Sequence, residues 1–251
     1  SDGMPALALT DLSNVFGMVK FYQAARAKGI KPILGCDVWL ENEADRDKPY
    51  RLLLLAQSRA GYLRLSELLT RAYRSNQYRG RAEVRKAWFA EAGAEGLIAL
   101  SGAHHGDVGQ ALVADNQKQA QRLVREWQEL FPDRFYIELQ RLGKQATVLG
   151  AAGVPVEIYV QRALRLASAL KLPVVATHPV QFVKPDDFRA LEALKFLTKN
   201  TGVRTEIHIA SERGITEAEA IDLFLHAARL GLFQIDLHMT CPLCGDVLQS
   251  L

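Results

Sequence analysis

Along the chain, short apolar runs alternate with stretches in which apolar residues recur every three or four positions. Pro5 to Asp11 (PALALTD) is an apolar run ended by a threonine and an acid. It is too short for a lone helix and predicts a strand buried on both faces. Lys31 to Asp37 (KPILGCD) and Leu172 to His178 (LPVVATH) repeat that layout. Each run puts a polar group, Asp11, Asp37 or His178, at the carboxyl end of a strand, where barrels and open α/β sheets place their chemistry.

Helical spacing fills the intervals. Val15 to Lys28 carries Val15, Val19, Tyr22, Ala25 and Ala27, with Ser13 or Asn14 to cap its start and Gly29 to end it. Glu41 to Tyr50 is rich in charge and predicts a solvent loop. Arg51 to Gln57, with four consecutive leucines, predicts a buried strand. Ser58 to Ser75 is amphipathic through Leu63, Leu65, Leu68, Leu69 and Ala72. Gly96 to Gly102 reads as a strand leading into a Gly-Ala-His-His-Gly turn. Asp107 to Phe131 reads as one or two helices, and Phe135 to Leu139 as a strand. Leu142 to Pro155 has no clear period and reads as a loop or insertion. Val156 to Leu170 is helical, Pro173 to Val183 is a strand and Asp186 to Asn200 is helical. This alternation predicts an α/β domain over residues 1–200, built on a mostly parallel sheet. The texture then changes. Residues 201–251 hold an amphipathic helix, Thr216 to Leu230, that opens Thr-Glu-Ala-Glu as a capping box would, and a Cys241-Pro-Leu-Cys244-Gly knuckle.

Composition narrows the class. The 251 residues are 49% hydrophobic and 24% charged, as in a soluble globular protein with a full core. No apolar run approaches the roughly 20 residues that cross a bilayer, so no membrane partner is expected. The opening residues show no basic stretch followed by an apolar one, so no export signal is expected. Three cysteines are too few for a disulfide framework and favour a reducing cytoplasm. A net charge of +3 permits a nucleic-acid neighbour without requiring one.

Two stretches suggest binding chemistry. Arg71, Arg74, Arg79 and Arg81 stand among Tyr73 and Tyr78, and basic residues interleaved with aromatics can contact DNA or a partner subunit. A solvated loop is the plainer reading. Cys241 and Cys244 have the tight spacing of a zinc knuckle, and His238 or His226 could add a ligand. One knuckle supplies only two of four tetrahedral ligands, and reduced free thiols are the alternative. Gly102, Gly106 and Gly109 do not form a phosphate loop, because no Gly-Lys-Ser/Thr follows them.

Three segments carry a family resemblance: Pro5 to Asp37, Leu97 to Gly109 (LIALSGAHHGDVG) and Pro173 to Phe182 (PVVATHPVQF). Over about residues 3–195 the chain resembles the polymerase and histidinol phosphatase (PHP) domain, in the version at the amino end of bacterial replicative DNA polymerase III alpha subunits. The resemblance implies a distorted parallel (β/α) barrel whose rim, in active relatives, holds clustered metal ions and cleaves phosphate esters. Such clusters need several His and carboxylate ligands within a few ångströms. The family's His-x-His strand would lie before Ser1, which leaves the barrel incomplete at its amino end and its neighbouring strand edges open to self-association. Asp11 matches a family acid, but Leu12 follows it where active members have His. Asp37 replaces a glutamate, and Ala103 stands where Cys is frequent. His178, Pro179 and Gln181 replace a motif that ends in an acid and a His.

Asp11, Asp37, His104 (or His105) and His178 are therefore a vestigial rim, with no catalytic residue and no divalent metal expected. Asp11 could equally cap the following helix, and strand-end or packing roles suit Asp37 and His178. The implied role is a scaffold in DNA replication that contacts the polymerase body and the proofreading exonuclease subunit. A working metal-dependent phosphoesterase is the alternative. The tail from Ala220 to Leu251 resembles a short ribbon segment found ahead of class III adenylate cyclases, which implies a third reading, a zinc-ribbon interaction module in signalling.

Overall fold

The computed structural model describes residues 3–141, 148–149, 153–178, 180, 238–240 and 247–249. The chain divides into two compact units, residues 1–178 and 179–251. The expected boundary near residue 201, the helices at 186–200 and 216–230, and Cys241 and Cys244 lie outside the described residues.

The first unit is built on one sheet. Its strands are β1 (Ala6–Leu9), β2 (Lys31–Leu40), β3 (Tyr50–Ala56), β4 (Gln77–Tyr78), β5 (Arg81–Val84), β6 (Leu97–Leu100), β7 (Phe135–Gln140) and, after the hairpin β8 (Val148–Leu149) and β9 (Val154–Pro155), β10 (Val174–Thr177). The order across the sheet is β10-β7-β6-β3-β2-β5-β4, and β1 pairs with the early half of β2. The sheet is mixed where the alternation predicted mostly parallel pairing. Neighbours β1–β2, β2–β5, β6–β7 and β7–β10 run parallel, whereas β2–β3, β3–β6 and β4–β5 run antiparallel. Only a short loop, residues 41–49, joins β2 to β3. A connection of that length permits an antiparallel return and is too short for a crossover.

The sheet has two unlike faces. Cys36, Val38, Leu40, Leu52, Leu54, Leu97, Ala99, Phe135 and Ile137 point to one side, each at most 2% exposed. Helices α2 (Arg59–Ser75), α3 (Ala87–Ala92), α4 (Asp107–Val113), α5 (Gln117–Leu130) and α6 (Val156–Leu170) pack on that face through residues such as Leu65, Leu68, Phe89, Leu112, Trp127 and Leu166. An aromatic group closes the core: Trp127 lies 5.9 Å from Phe89 and stacks on Phe135 at 6.0 Å between ring centroids. Residues on the other face, among them Asp37, Trp39, Arg51, Leu53 and Leu55, are only half-buried.

Local signals explain most boundaries. The Ser58 side chain accepts the Gly61 N–H at 3.2 Å and starts α2. Asp115, at φ 59°, breaks the 107–131 stretch into α4 and α5, and Asn116 caps the second by accepting the Gln119 N–H. Residues 41–49 form the expected loop, with Glu43, Ala44, Asp47 and Lys48 exposed, and buried Asn42 anchors it by donating to the Lys48 carbonyl at 2.8 Å. Two expectations are corrected. Residues 77–84, read as part of a loop, form a hairpin that turns on Arg79 and Gly80, both with positive φ. Finally, β1 is not buried on both faces. It pairs only with β2 among the described residues, and Leu7 remains 42% exposed.

Helix α1 (Met18–Ala27) is likewise uncovered, with Ala25 its one buried residue. Phe16, Val19 and Tyr22 are exposed, as are Met4, Leu7 and Leu12, so β1, α1 and the turn between them each present apolar side chains to solvent.

A close backbone approach fixes α2 against the residue that leads into β6. A β-carbon on Gly61 would lie 1.7 Å from the Gly96 carbonyl oxygen. Gly61→Ala is therefore expected to lower stability by about 1–3 kcal/mol. A thermal melt that matches the parent protein would refute this packing.

Candidate functional site

The antiparallel course of β3 decides what reaches the sheet's functional edge. Strands β1, β2, β6, β7 and β10 all point the same way, so their carboxyl ends share one side of the domain. Strand β3 runs against them and delivers its beginning to that side. Arg51, its second residue, lies directly opposite Trp39 and diagonal to Asp37 on the half-buried face.

Asp37 lies inside β2, three residues before its end, and not at the strand terminus expected for it. Its carboxylate is gripped by the Arg51 guanidinium. Nε donates to Oδ1 at 2.9 Å, and Nη2 donates to Oδ2. This two-pronged pairing is the strongest geometry open to an arginine and a carboxylate. The Arg51 guanidinium also lies over the Trp39 ring, 4.7 Å from its centroid. About a quarter of each partner's side chain is exposed, at 24% and 22%.

The Gly-Ala-His-His-Gly turn packs against the same arginine. Gly102, at φ 71°, has no room for a β-carbon, which would meet the Arg51 carbonyl oxygen at 2.1 Å. These glycines serve close backbone approach and not phosphate binding. The turn holds His104 and His105 with ring centroids 3.9 Å apart. Burial, aided by the neighbouring His105, pushes the His104 imidazole down to about 4. Burial and then the Arg51 charge push His105 down as well, against the opposing pull of Asp37. Both rings are neutral at physiological pH.

The remaining candidates part company. The Asp11 carboxylate accepts the Gly17 N–H at 3.4 Å, at the start of α1, which begins at Met18 and not near the expected Asn14. Its backbone carbonyl accepts the Asp37 N–H at 3.1 Å and the Cys36 thiol at 3.3 Å. Burial pushes that thiol up to about 12, so Cys36 is an inert core group. His178 follows β10 and is exposed. Among the described residues, no three His, Cys, Asp or Glu side chains are placed to hold a metal ion.

Glu138 is the acid that sequence reasoning missed. It is 1% exposed, and its Oε1 accepts the Thr177 hydroxyl at 2.5 Å and the Gln140 amide at 3.2 Å. Its backbone N–H donates to Ser101 Oγ, and its carbonyl accepts the Tyr159 hydroxyl. One residue thus joins β7 to β10, α6 and the residue after β6. Burial raises its carboxyl above the ordinary range, and nearby Asp37 adds to the rise. The available signal was its place in the Phe-Tyr-Ile-Glu-Leu strand, where an acid interrupts an apolar run.

The basic stretch is bound into the domain. Arg71 pairs with Glu91 and lies over Trp88, and Arg79 pairs with Asp47. Arg81 pairs with Glu83, which is fully buried and also receives two hydrogen bonds from Arg46. Arg74, in the last turn of α2, has no ion-pair partner among the described residues. His238 opens β11 (His238–Thr240), which pairs antiparallel with β12 (Val247–Gln249).

A mixed sheet with polar groups gathered at the carboxyl ends of its parallel strands, and helices on its other face, defines an α/β protein. The sequence profile of the PHP domain matches residues 1–142, more than half of the chain, and the chain belongs to the PHP domain family. Residues 198–251 match a second family, of unknown function, DUF5939. The DNA polymerase III subunit alpha of Neisseria meningitidis serogroup A is 46% identical over 192 residues, covering 76% of this chain and 16% of that protein. The subunit from Pseudomonas aeruginosa is 44% identical over 190 residues, covering 76% of this chain and 15% of the relative. The Escherichia coli K12 subunit is 40% identical over 190 residues, covering 76% and 16%. The chain thus spans only about one-sixth of the length of these relatives.

Glu138 supplies a pH test. Its folded-state pKa is raised above the unfolded value of 4.5. The stability it contributes is present below that value and is lost as pH rises through the folded pKa. Glu138→Gln keeps the acceptor for Thr177 and removes the titration. Relative to the parent, this variant should become progressively more stable as pH rises from 4.5 toward the raised folded-state pKa. A melting-temperature difference that stays flat over this window would show that Glu138 is not the titrating group.

Proposed function

We propose that this chain is a PHP domain that keeps the family's sheet but not its metal chemistry, acting as a scaffold in a replicative polymerase of the DNA polymerase III alpha type. The observation that carries this reading is the capture of Asp37 by Arg51 at the position where an ion would be expected. By that resemblance the domain is a distorted (β/α) barrel. Its ties, by resemblance, are to the polymerase body and the proofreading exonuclease subunit in the cytoplasm. No helix among the described residues is long and apolar enough to cross a membrane, which suits that setting. The apolar surface of β1 and α1 is the part available for protein contact, and in the isolated chain it favours self-association. The rival reading is a metal-dependent phosphoesterase.

One experiment separates the two. The purified chain is stripped of metal, supplied with Mn2+, Mg2+ or Zn2+, and assayed on p-nitrophenyl phosphate. In parallel it is run on size exclusion with the proofreading exonuclease subunit of Neisseria meningitidis. The expected result is hydrolysis no faster than buffer and co-elution of the two proteins. Metal-dependent turnover that Asp37→Asn abolishes would replace the scaffold with an enzyme.

We further infer a zinc ion in the tail, because Cys241 and Cys244 fall in the segment joining the paired strands β11 and β12. Two thiolates and His238 give three ligands in the tight spacing zinc favours. Elemental analysis should find one zinc per chain, lost in Cys241→Ser. Zinc-free protein with an intact tail would defeat this assignment.

A further inference from the structure

The PHP family implies an ion at this rim, and the side chains present do not suit one. Asp37 is held on both oxygens by Arg51, Glu138 spends Oε1 on Thr177 and Gln140, and Asp11 turns to the start of α1. A rim carboxylate that loses its ion needs another positive charge, since an uncompensated carboxylate in a half-buried site is costly.

We infer that Arg51 is the rim's resident cation, a built-in charge that compensates Asp37 and denies it to divalent ions. Three features of the fold hold it in place. The register of β2 against β3 sets Arg51 opposite Trp39, so the guanidinium rests on the indole while its fork reaches Asp37. The antiparallel direction of β3 brings residue 51, and not residue 56, to the rim. On the far side Gly102 lies against the backbone of Arg51, and Gly106 lies beside it. Its own β-carbon would come 3.1 Å from the Arg51 carbonyl oxygen. The arginine is therefore clamped at backbone and side chain. An incoming ion would have to break two charge-assisted hydrogen bonds and displace a stacked guanidinium.

This inference rests on the PHP reading, and its test separates the two. Arg51→Met keeps a long stem against Trp39 and removes the charge. Arg51→Lys keeps the charge and loses the fork. Asp37→Asn removes the carboxylate's charge. Mn2+ binding to the full chain is followed through the electron paramagnetic resonance signal of the free ion, alongside melting temperature in metal-free buffer.

Arg51→Met is expected to bind at least threefold more Mn2+ than the parent at equal free ion, a gain absent from Arg51→Lys and abolished in the Arg51→Met/Asp37→Asn double variant. Each neutralising single variant should melt lower than the parent, and the double no lower than the worse single. Equal Mn2+ binding by parent and Arg51→Met, or a double variant whose loss equals the sum of the singles, would overturn the inference. If Arg51→Met does not fold, Arg51→Gln replaces it and the same comparisons decide. Failure here with no ester hydrolysis by the parent removes only the resident cation. Mn2+ binding and hydrolysis by the parent itself would remove the PHP scaffold reading as well.

Discussion

Everything at the rim follows from the direction of one strand. Residues 41–49 bring the chain straight back beside β2, so β3 must run antiparallel to it. A crossover would have placed Ala56 and Gln57 at the rim and buried Arg51 at the opposite end. The reversal instead sets a guanidinium where the surrounding strands present Asp37 and the two-histidine turn. Geometry of the backbone thus determines the charge of the site before any side chain is chosen.

The two faces of the sheet carry separate tasks. The helix-covered face is as dry as any protein interior, with Cys36, Val38, Leu54 and Ala99 fully buried. Its aromatic group around Trp127 contains one charged member, Asp107, which is satisfied by the Trp127 indole at 2.9 Å and the Val108 N–H at 2.7 Å. Burial still pushes the Asp107 carboxyl up, with Lys86 opposing it from 3.6 Å. The other face carries the half-buried Arg51–Asp37 pair and the fully buried Glu138. Substitutions on that face leave the first untouched, because alternate residues of each strand point to opposite sides.

Much of the fold was legible because hydrophobic period reports burial directly. The helix 156–170 and the cores of strands β2, β3, β6 and β7 follow from apolar spacing alone. Strand direction is different, since Arg51 to Gln57 reads the same in a parallel or an antiparallel sheet. For that reason the alternation correctly predicted an α/β domain and failed to bring Arg51 to the rim. Short elements were missed for a related reason. The two-residue strand β4 and the six-residue helix α3 contain too few positions to establish a period. Asp37 and the histidine turn could be found by their place after apolar runs. Glu138 offered only the weaker signal of an acid interrupting an apolar run, because its partners Thr177 and Tyr159 lie 39 and 21 residues away.

Charge in the basic stretch is partly taken up within the domain. A run of arginines and tyrosines looks like a surface for phosphates, yet an arginine fork is satisfied as well by a carboxylate as by a phosphate. In this domain the carboxylates are close at hand. Glu83 draws Arg46 and Arg81 inward, Glu41 accepts from Arg85 at 2.7 Å, and Asn76 links the two acids by donating to Glu41 and to the Glu83 carbonyl. Tyr78 then lies among three guanidiniums, those of Arg46, Arg79 and Arg81. In the hairpin, Arg81 is thus drawn toward the buried Glu83, while Arg71, Arg79 and Tyr73 keep exposed surface. The same preference governs the rim, where an arginine over an aromatic ring takes up an acid, and both sites turn charge inward by one kind of contact.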